Sequence, residues 1–281
     1  MSTELIIALI KANLILGVLL TNTILLIWFE RKLVAGMQSR VGPDRAGPFG
    51  LLQTVADAIK LLLKEQIMPL KADRAMYLLA PILALVPSFL IFMIIPLGPD
   101  LNIEVGGKNY AVDFVGADLN VGVLYFLALS SIAVYSVVLA GWSSGSKYPL
   151  LGGVRASAQM ISYEAAMGLS LVPVILYAGS LSLVDIVSSQ AGNLSTSIPI
   201  LSSIVSFIPK WNIFPQFIAF GIFFISAVAE VNRAPFDLVE AEQELVGGFH
   251  TEYSGFRFAM FFLAEYINMF NMCAITATFF L

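Results

Sequence analysis

Long apolar segments separated by short polar connections run the whole length of this chain. Most are roughly 20 residues long, which is enough to cross the hydrocarbon core of a bilayer as an α-helix. The pattern therefore predicts an all-α polytopic membrane protein with six spanning helices. The predicted spans are Leu5–Phe29, Ala75–Leu97, Leu119–Gly141, Ser157–Ala178, Phe214–Val231 and Tyr253–Leu281. Pro87 and Pro173 fall inside two of them and should kink those helices.

One segment of the first connection, residues 49–64, has the period of an amphipathic helix. Its apolar residues share one helical face, and Asp57, Lys60 and Lys64 share another. The segment is too short and too charged to span, so we expect a helix that lies along the membrane surface. The Gly-Pro pairs of Arg40–Pro48 predict a rigid turn before it. Two roles remain open for this helix. It either anchors the chain at the membrane surface or lines an entrance into the protein.

The composition agrees with a single membrane domain over residues 1–281. The chain is 58% hydrophobic and 12% charged, and its mean hydropathy is +0.87. The N-terminal segment has neither a basic start nor a small-residue cleavage site, so it is predicted to be a span and not a removable signal. One cysteine cannot hold an iron–sulfur cluster, and one histidine cannot form a haem or zinc site. We therefore expect no metal site here and any redox centre in a partner.

Lysine and arginine are unevenly distributed among the connections. The first, third and fifth connections hold nearly all of them, and the second and fourth offer only Lys108 and Lys210. By the positive-inside rule the odd connections face the cytoplasm and the N-terminus lies outside. The outer connections, residues 98–118 and 180–209, are predicted to be plain linkers.

An acidic stretch, Ala229–Arg257, begins at the end of the fifth span and includes a predicted cytoplasmic loop at residues 232–252. The stretch holds six carboxylates, namely Glu230, Asp237, Glu240, Glu242, Glu244 and Glu252. Mutual repulsion and poor access to water favour protonated forms and couple the titrations of these groups. A charge run of this kind either handles protons or is simply the solvated face of a connecting loop.

Two further glutamates lie well inside predicted spans. Glu164 is about two turns into its helix, and Glu265 is near the middle of the last span. An unpaired charge that faces lipid costs several kcal/mol, so both side chains should face the protein interior or a wet cavity. The presence of these two residues favours proton handling as the role of the acidic stretch.

Several motifs together identify a family. They are Glu30-Arg31-Lys32, the turn at 40–48, the helix at 51–65, and residues 140–164 and 232–255. In these stretches the sequence resembles the H-type membrane subunit of proton-pumping NADH:quinone oxidoreductase (respiratory complex I), which is called subunit 1 of NADH dehydrogenase in mitochondria.

The resemblance implies a place at the junction of the hydrophilic and membrane arms, with two sets of site residues. The residues implied for the wall and tail passage of a quinone chamber are Glu30, Arg31, Arg40, Asp57, Lys60, Arg233, Phe236 and Asp237. The residues implied for the start of a proton path are Arg155, Glu164, Glu230, Glu240, Glu242, Glu244, Glu252 and Glu265.

The resemblance also implies partners and a location. Quinone would be the substrate, while iron–sulfur clusters and FMN would belong to partner subunits. The partners would be other membrane-arm subunits together with the quinone-site and terminal iron–sulfur subunits of the hydrophilic arm. The protein would be a multi-pass component of a bacterial cell membrane. Family members usually have eight spans, two more than are predicted here.

Three other classes of function remain as alternatives. One is the membrane subunit of an energy-converting hydrogenase, which would have no use for a quinone tail passage. Another is a self-standing ion transporter, although the sequence has no inverted repeat. The last is a structural anchor, whose charges would be dispensable.

Overall fold

The computed structural model describes residues 3–99, 101–105, 108–193, 209–237 and 246–281. Within these ranges the chain forms eight α-helices, one β-hairpin and two short 3₁₀ turns, at Pro48–Gly50 and Gly248–His250. The helices are α1 (Thr3–Met37), α2 (Gln53–Leu63), α3 (Arg74–Phe92), α4 (Gly122–Ser143), α5 (Lys147–Ala178), α6 (Leu183–Gln190), α7 (Phe217–Glu230) and α8 (Gly255–Phe280).

The helices bear out the prediction of a polytopic helical membrane protein. Five of them, α1, α3, α4, α5 and α8, are long and apolar enough to cross a membrane. The sixth predicted span is the apolar helix α7, whose 14 residues fall short of the roughly 20 that a complete crossing needs. Helix α1 continues past Phe29, and α5 begins before Ser157. These extensions place Glu30, Arg31 and Arg155 on helices and not in connections.

The second connection is not the plain linker that we predicted. Strands β1 (Leu101–Val105) and β2 (Lys108–Val112) pair antiparallel, with Leu101 opposite Val112. In the sequence, the alternating apolar and polar residues of Leu101–Val105 precede a Gly-Gly pair, and this is a hairpin signal. Beyond the hairpin, Asp113 accepts a 2.9 Å hydrogen bond from Lys11 of α1. That hydrogen bond holds the pKa of the Asp113 carboxyl below its ordinary value.

Helix α4 lies between α3 and α5, and the other long helices are arranged around these three. Helix α5 also packs against α7, and α8 packs against α3. Among the buried side chains of the core are Phe126, Phe223 and Phe279, and the rings of the last two lie 6.2 Å apart. Helix α1 contacts α2 and α8 but leaves many of its leucines exposed. This exposure is normal for a spanning helix, because lipid is as apolar as the leucine side chain.

Helix α2 corresponds to the predicted amphipathic segment. Ile59, Leu62 and Leu63 on its apolar face are exposed, while Asp57 is directed towards α1. The turn before it requires glycine at position 50, where φ is +79° and a Cβ would lie 2.2 Å from the Pro43 carbonyl oxygen. An exposed apolar face beside spanning helices suits a helix at the membrane surface.

A close backbone approach joins α5 to the 3₁₀ turn Gly248–His250. A Cβ added to Gly152 would lie 2.8 Å from the Cα atom of Gly248, which is closer than packed atoms allow. Glycine at position 152 therefore lets the turn lie directly against α5.

We expect Gly152→Ala to destabilise the protein by about 1–3 kcal/mol, because the added methyl group meets backbone that cannot yield easily. The measurement is the melting temperature of the purified protein in detergent micelles. Gly168→Ala on the same helix is the matched control, since its Cβ would make only an ordinary 3.8 Å contact with Leu127. Equal melting temperatures for the two variants would refute the packing argument.

Candidate functional site

A single guanidinium joins two carboxylates that come from opposite ends of the chain. Arg233 follows α7, and its Nη1 donates to Oε1 of Glu30 on α1 at 2.9 Å. Its Nε lies 3.1 Å from Oε1 of Glu265 on α8. The hydroxyl of Tyr266 donates to the other oxygen of Glu30 at 2.7 Å. The guanidinium also lies over the Tyr266 ring, 4.7 Å from its centroid. These contacts hold α1, α8 and the segment after α7 together.

The neighbouring carboxylates stabilise the charged form of the Arg233 guanidinium. Burial by itself would lower the pKa of Arg233, but its neighbours, of which Glu265 contributes most, outweigh that effect and raise the pKa above its ordinary value. Two carboxylates around one cation leave the cluster with a negative charge when both are ionised.

The next residue of α1, Arg31, forms a second ion pair. Its Nη1 donates to Oδ2 of Asp57 on α2, and Gln53 donates to the other oxygen of Asp57 at 3.0 Å. Burial raises the pKa of Asp57, but the hydrogen bonds from Arg31 and Gln53 outweigh burial and hold that pKa below its ordinary value. Consecutive residues of α1 therefore connect the surface helix to the Arg233 cluster.

Two consecutive serines of α4 each hold a carboxylate from another helix. Ser130 donates to Oε1 of Glu230 at 2.9 Å, and Ser131 donates to Oε1 of Glu164. Glu230 is only 6% exposed. Its second oxygen, Oε2, is buried and has no hydrogen-bond partner in the described part of the chain. A buried acceptor of this kind requires a donor or a proton.

A cavity of about 80 Å³ separates Glu230 from the Arg233 cluster. Its polar lining comes from Ser136, Glu230, Asn232, His250, Glu265 and Asn268. A cavity of this volume with several polar partners can hold a few water molecules. Glu230 and Glu265 thus face a common space in which water can carry a proton between them.

His250 contributes an imidazole, which is both aromatic and titratable, to the lining of the cavity. Its ring meets the rings of Phe249 and Phe258 at centroid distances of 5.0 and 5.4 Å. Burial lowers the pKa of His250 to about 4, although the charge of Asp237 opposes the shift. At neutral pH the imidazole is therefore uncharged, with one nitrogen that donates and one that accepts.

Gln159 of α5 fixes the segment that carries Glu230 and Arg233. Its Nε2 lies 3.0 Å from the carbonyl oxygen of Ala229 and 2.8 Å from that of Phe236. The same nitrogen lies 3.3 Å from Oδ1 of Asn232. One side-chain amide therefore ties both ends of this segment to α5.

Four further residues predicted for the quinone chamber are Arg40, Lys60, Phe236 and Asp237. Arg40 is exposed and donates to the side chain of Gln38 at 2.7 Å, and Lys60 is exposed on α2. The Phe236 ring lies 5.3 Å from that of Tyr163, and Asp237 is exposed.

Of the residues predicted for the proton path, two more are half-buried and three lie outside the described residues. Arg155 is half-buried on α5, and the backbone oxygen of the half-buried Glu252 accepts from the Tyr77 hydroxyl at 2.8 Å. Glu240, Glu242 and Glu244 lie outside the described residues.

Sequence reasoning missed several members of the network. Ser130 and Ser131 were detectable as a polar pair in an otherwise apolar span, and Tyr266 directly follows Glu265. His250 is the only histidine of the chain. Nothing in the sequence distinguishes Gln159 from a lipid-facing or solvent-facing glutamine, because its role depends on the fold.

Comparison with known proteins identifies relatives over nearly the whole chain. The sequence profile of the family described as NADH dehydrogenase matches residues 10–281. The H subunit of NADH-quinone oxidoreductase from Frankia alni is 52% identical over 275 residues, which are 97% of this chain. The H subunit from Brevibacillus brevis is 50% identical over 272 residues, and the second of the numbered H subunits from Geobacter metallireducens is 52% identical over 261. The matches span 56%, 72% and 70% of these relatives, so the chain covers little more than half the length of the first.

The depressed pKa of His250 predicts a pH-dependent stability. Because the folded pKa is about 4 and the ordinary value is 6.5, the stabilising contribution is present above the ordinary value and is lost as pH falls towards the folded one. We expect the free energy of unfolding to fall by about 2 kcal/mol between about pH 7 and about pH 5 from this group alone. Denaturation in detergent micelles measures it. His250→Gln should lack that part of the pH dependence, and an unchanged slope in the variant would count against a buried neutral histidine.

Loss of Gln159 should loosen the segment at 229–237. We expect Gln159→Leu to cost about 1–3 kcal/mol locally, because the carbonyl oxygen of Phe236 loses the Gln159 donor, and that of Ala229 loses it too but keeps the amide of Asn232. Hydrogen–deuterium exchange of the amides in this segment should accelerate by about tenfold or more. Gln159→Glu keeps the shape but lacks the donor, so it should have a similar effect. Gln38→Leu, in the exposed turn after α1, is the control. Protection like wild type in both Gln159 variants would disprove the anchoring role.

Proposed function

The chain belongs to the NADH dehydrogenase family, together with the H subunits of NADH-quinone oxidoreductase, and on that premise we propose that it couples quinone reduction to proton translocation. In this proposal the chain forms part of a quinone chamber with its tail passage, and its buried carboxylates begin a proton path. Partner subunits contribute the electron carriers, including the iron–sulfur clusters and FMN.

The observation that carries the proposal is a cavity shared by two carboxylates, the buried Glu230 and the half-buried Glu265. Glu230 and Glu265 both line it, and Arg233 connects Glu265 to Glu30. Glu164 extends the series, because the serine that holds it is next to the serine that holds Glu230. A structural anchor would have no reason to bury Glu230 and half-bury Glu30, Glu164 and Glu265 at such a cost in desolvation.

Helix α2 is suited to guide a long-tailed quinone from the bilayer. Its exposed apolar face can lie against the isoprenoid tail, while the Arg31–Asp57 ion pair lies on the side that faces α1. A headgroup that reached the part of α1 that holds Glu30 and Arg31 would come close to the Arg233 cluster. This placement brings the reacting carbonyl oxygens near the Arg233 cluster.

Reduction of the quinone changes the local charge and so drives the coupling. Two electrons from a partner leave the quinone in need of two protons to become quinol. The change in charge at the headgroup alters the electrostatic potential at Glu30 and at Glu265, which Arg233 joins. Glu230 then exchanges protons with Glu265 through the cavity that both line, and Glu164 beside it continues the path, so that charge is displaced into the membrane arm.

The distribution of charge supports an orientation. The connection that includes α2 and the segment after α7 would both face the cytoplasm, where the hydrophilic partners bind, and the N-terminus would lie outside. The names of the relatives specify a quinone, which favours this function over that of a hydrogenase component.

The test is to replace Glu230 or Glu265 by Gln in the assembled complex and to measure quinone reduction and proton translocation together. We expect proton translocation to fall by on the order of 10²-fold, the lower end of what a positioned proton-transfer group contributes. Glu65→Gln is the matched control. Glu65 is an exposed carboxylate that is predicted to lie on the same side of the membrane, and it is outside the network. Wild-type rates of both processes in both variants would rule out the proposed path.

A further inference from the structure

A groove of about 610 Å³ opens where α3 begins, α4 ends and α5 begins, apart from the carboxylate network. Met76, Leu139 and Leu150 give it apolar walls. Lys71 and Lys147 also line it. Both lysines are exposed, and neither forms an ion pair within the described residues.

The groove is held in shape by the backbone. The amide of Asp73 donates to the Ser143 carbonyl oxygen at 3.0 Å and so joins the start of α3 to the end of α4. Gly145 packs so closely on Lys71 that a Cβ would lie 2.6 Å from its carbonyl oxygen, and its φ is +65°. A ligand would therefore meet a preformed site and would not have to order a loop.

The charge of the groove is positive. Its one carboxylate, that of Asp73, accepts from the amides of Ala75 and Met76 and caps α3. The two lysines outnumber it. The hydroxyl of Ser146, which makes no capping hydrogen bond to α5, adds a donor that is free to bind a ligand.

The surroundings of the groove are those of a membrane interface. Trp142 in its wall is 72% exposed, and Tyr148 is exposed beside it. Tryptophan and tyrosine accumulate at the level of the lipid headgroups, where an apolar ring with a polar edge is most stable. Leu151 and Val154 on the next turn of α5 are exposed as well. Since α3 and α4 are long enough to cross the membrane, their ends lie near the headgroups.

We propose that this groove binds an anionic phospholipid. The lipid phosphate lies between the ammonium groups of Lys71 and Lys147, and an acyl chain follows the apolar wall formed by Met76 and Leu139. Each lysine near a membrane surface contributes about fivefold to the binding of an anionic lipid, so both together contribute about 30-fold. A zwitterionic lipid gains much less, because its own cationic group repels the lysines.

The test uses the assembled complex in phosphatidylcholine vesicles that contain a trace of photoactivatable phosphatidylglycerol. After illumination, peptide mass spectrometry measures the crosslinks in residues 139–150. We expect strong labelling in the wild type and a loss of about 30-fold in a double variant with Lys71→Gln and Lys147→Gln. Lys64→Gln is the matched control, because Lys64 is exposed but lies outside the groove, and its labelling should equal that of wild type. The subunit composition of each purified complex shows whether the variants assemble.

Competition identifies the ligand. Unlabelled phosphatidylglycerol should abolish the crosslinks, whereas inorganic phosphate at the same concentration should not, because it lacks the acyl chain. Equal labelling by photoactivatable phosphatidylcholine would overturn the proposal, since it would mean a non-selective annular lipid. Absence of labelling in the wild type would overturn it as well, and would point to a partner protein that covers the groove.

Discussion

The ion pairs of Arg233 with Glu30 and Glu265 determine how the polar residues of this protein are arranged. A buried charge is costly in an apolar environment unless an opposite charge meets it. Because the three side chains come from α1, α8 and the segment after α7, satisfying their charges fixes the relative positions of these elements. The same contacts bring Glu265 to the cavity that Glu230 also lines. Structure and proposed chemistry therefore depend on one interaction.

Helix α1 has a special place in this arrangement because Glu30 and Arg31 are consecutive. One of them contacts the Arg233 cluster and the other contacts Asp57 on α2. In the proposed function, a change of charge near the surface helix therefore acts over a short distance on Glu30 and, through Arg233, on Glu265. Coupled titration needs no large movement, since a shift in the field at one group changes the proton affinity of its neighbours.

The sequence predicted the features that depend on hydrophobicity and charge. Apolar length identified the spans, and the cost of burying a charge singled out Glu164 and Glu265. Periodicity alone identified α2. Other features depend on the three-dimensional arrangement. Arg233 pairs with Glu265 on the next long helix and with Glu30 near the opposite end of the chain, and no local pattern specifies such pairings.

Helix limits were also hard to predict, for a physical reason. Polar residues such as Glu30 and Arg155 end an apolar run, but they do not end a helix whose backbone continues to hydrogen-bond. Gln159 and the pair Ser130 and Ser131 have ordinary polar side chains, and only the packing of α4, α5 and α7 gives them their roles.

The most direct measurement is a structure of the assembled complex by electron cryomicroscopy at a resolution that shows bound water. We expect water in the cavity that hydrogen-bonds to Oε2 of Glu230 and to Glu265. We also expect the Arg233 side chain to lie between Glu30 and Glu265. A dry cavity, or an Arg233 side chain turned away from both carboxylates, would contradict the central claim.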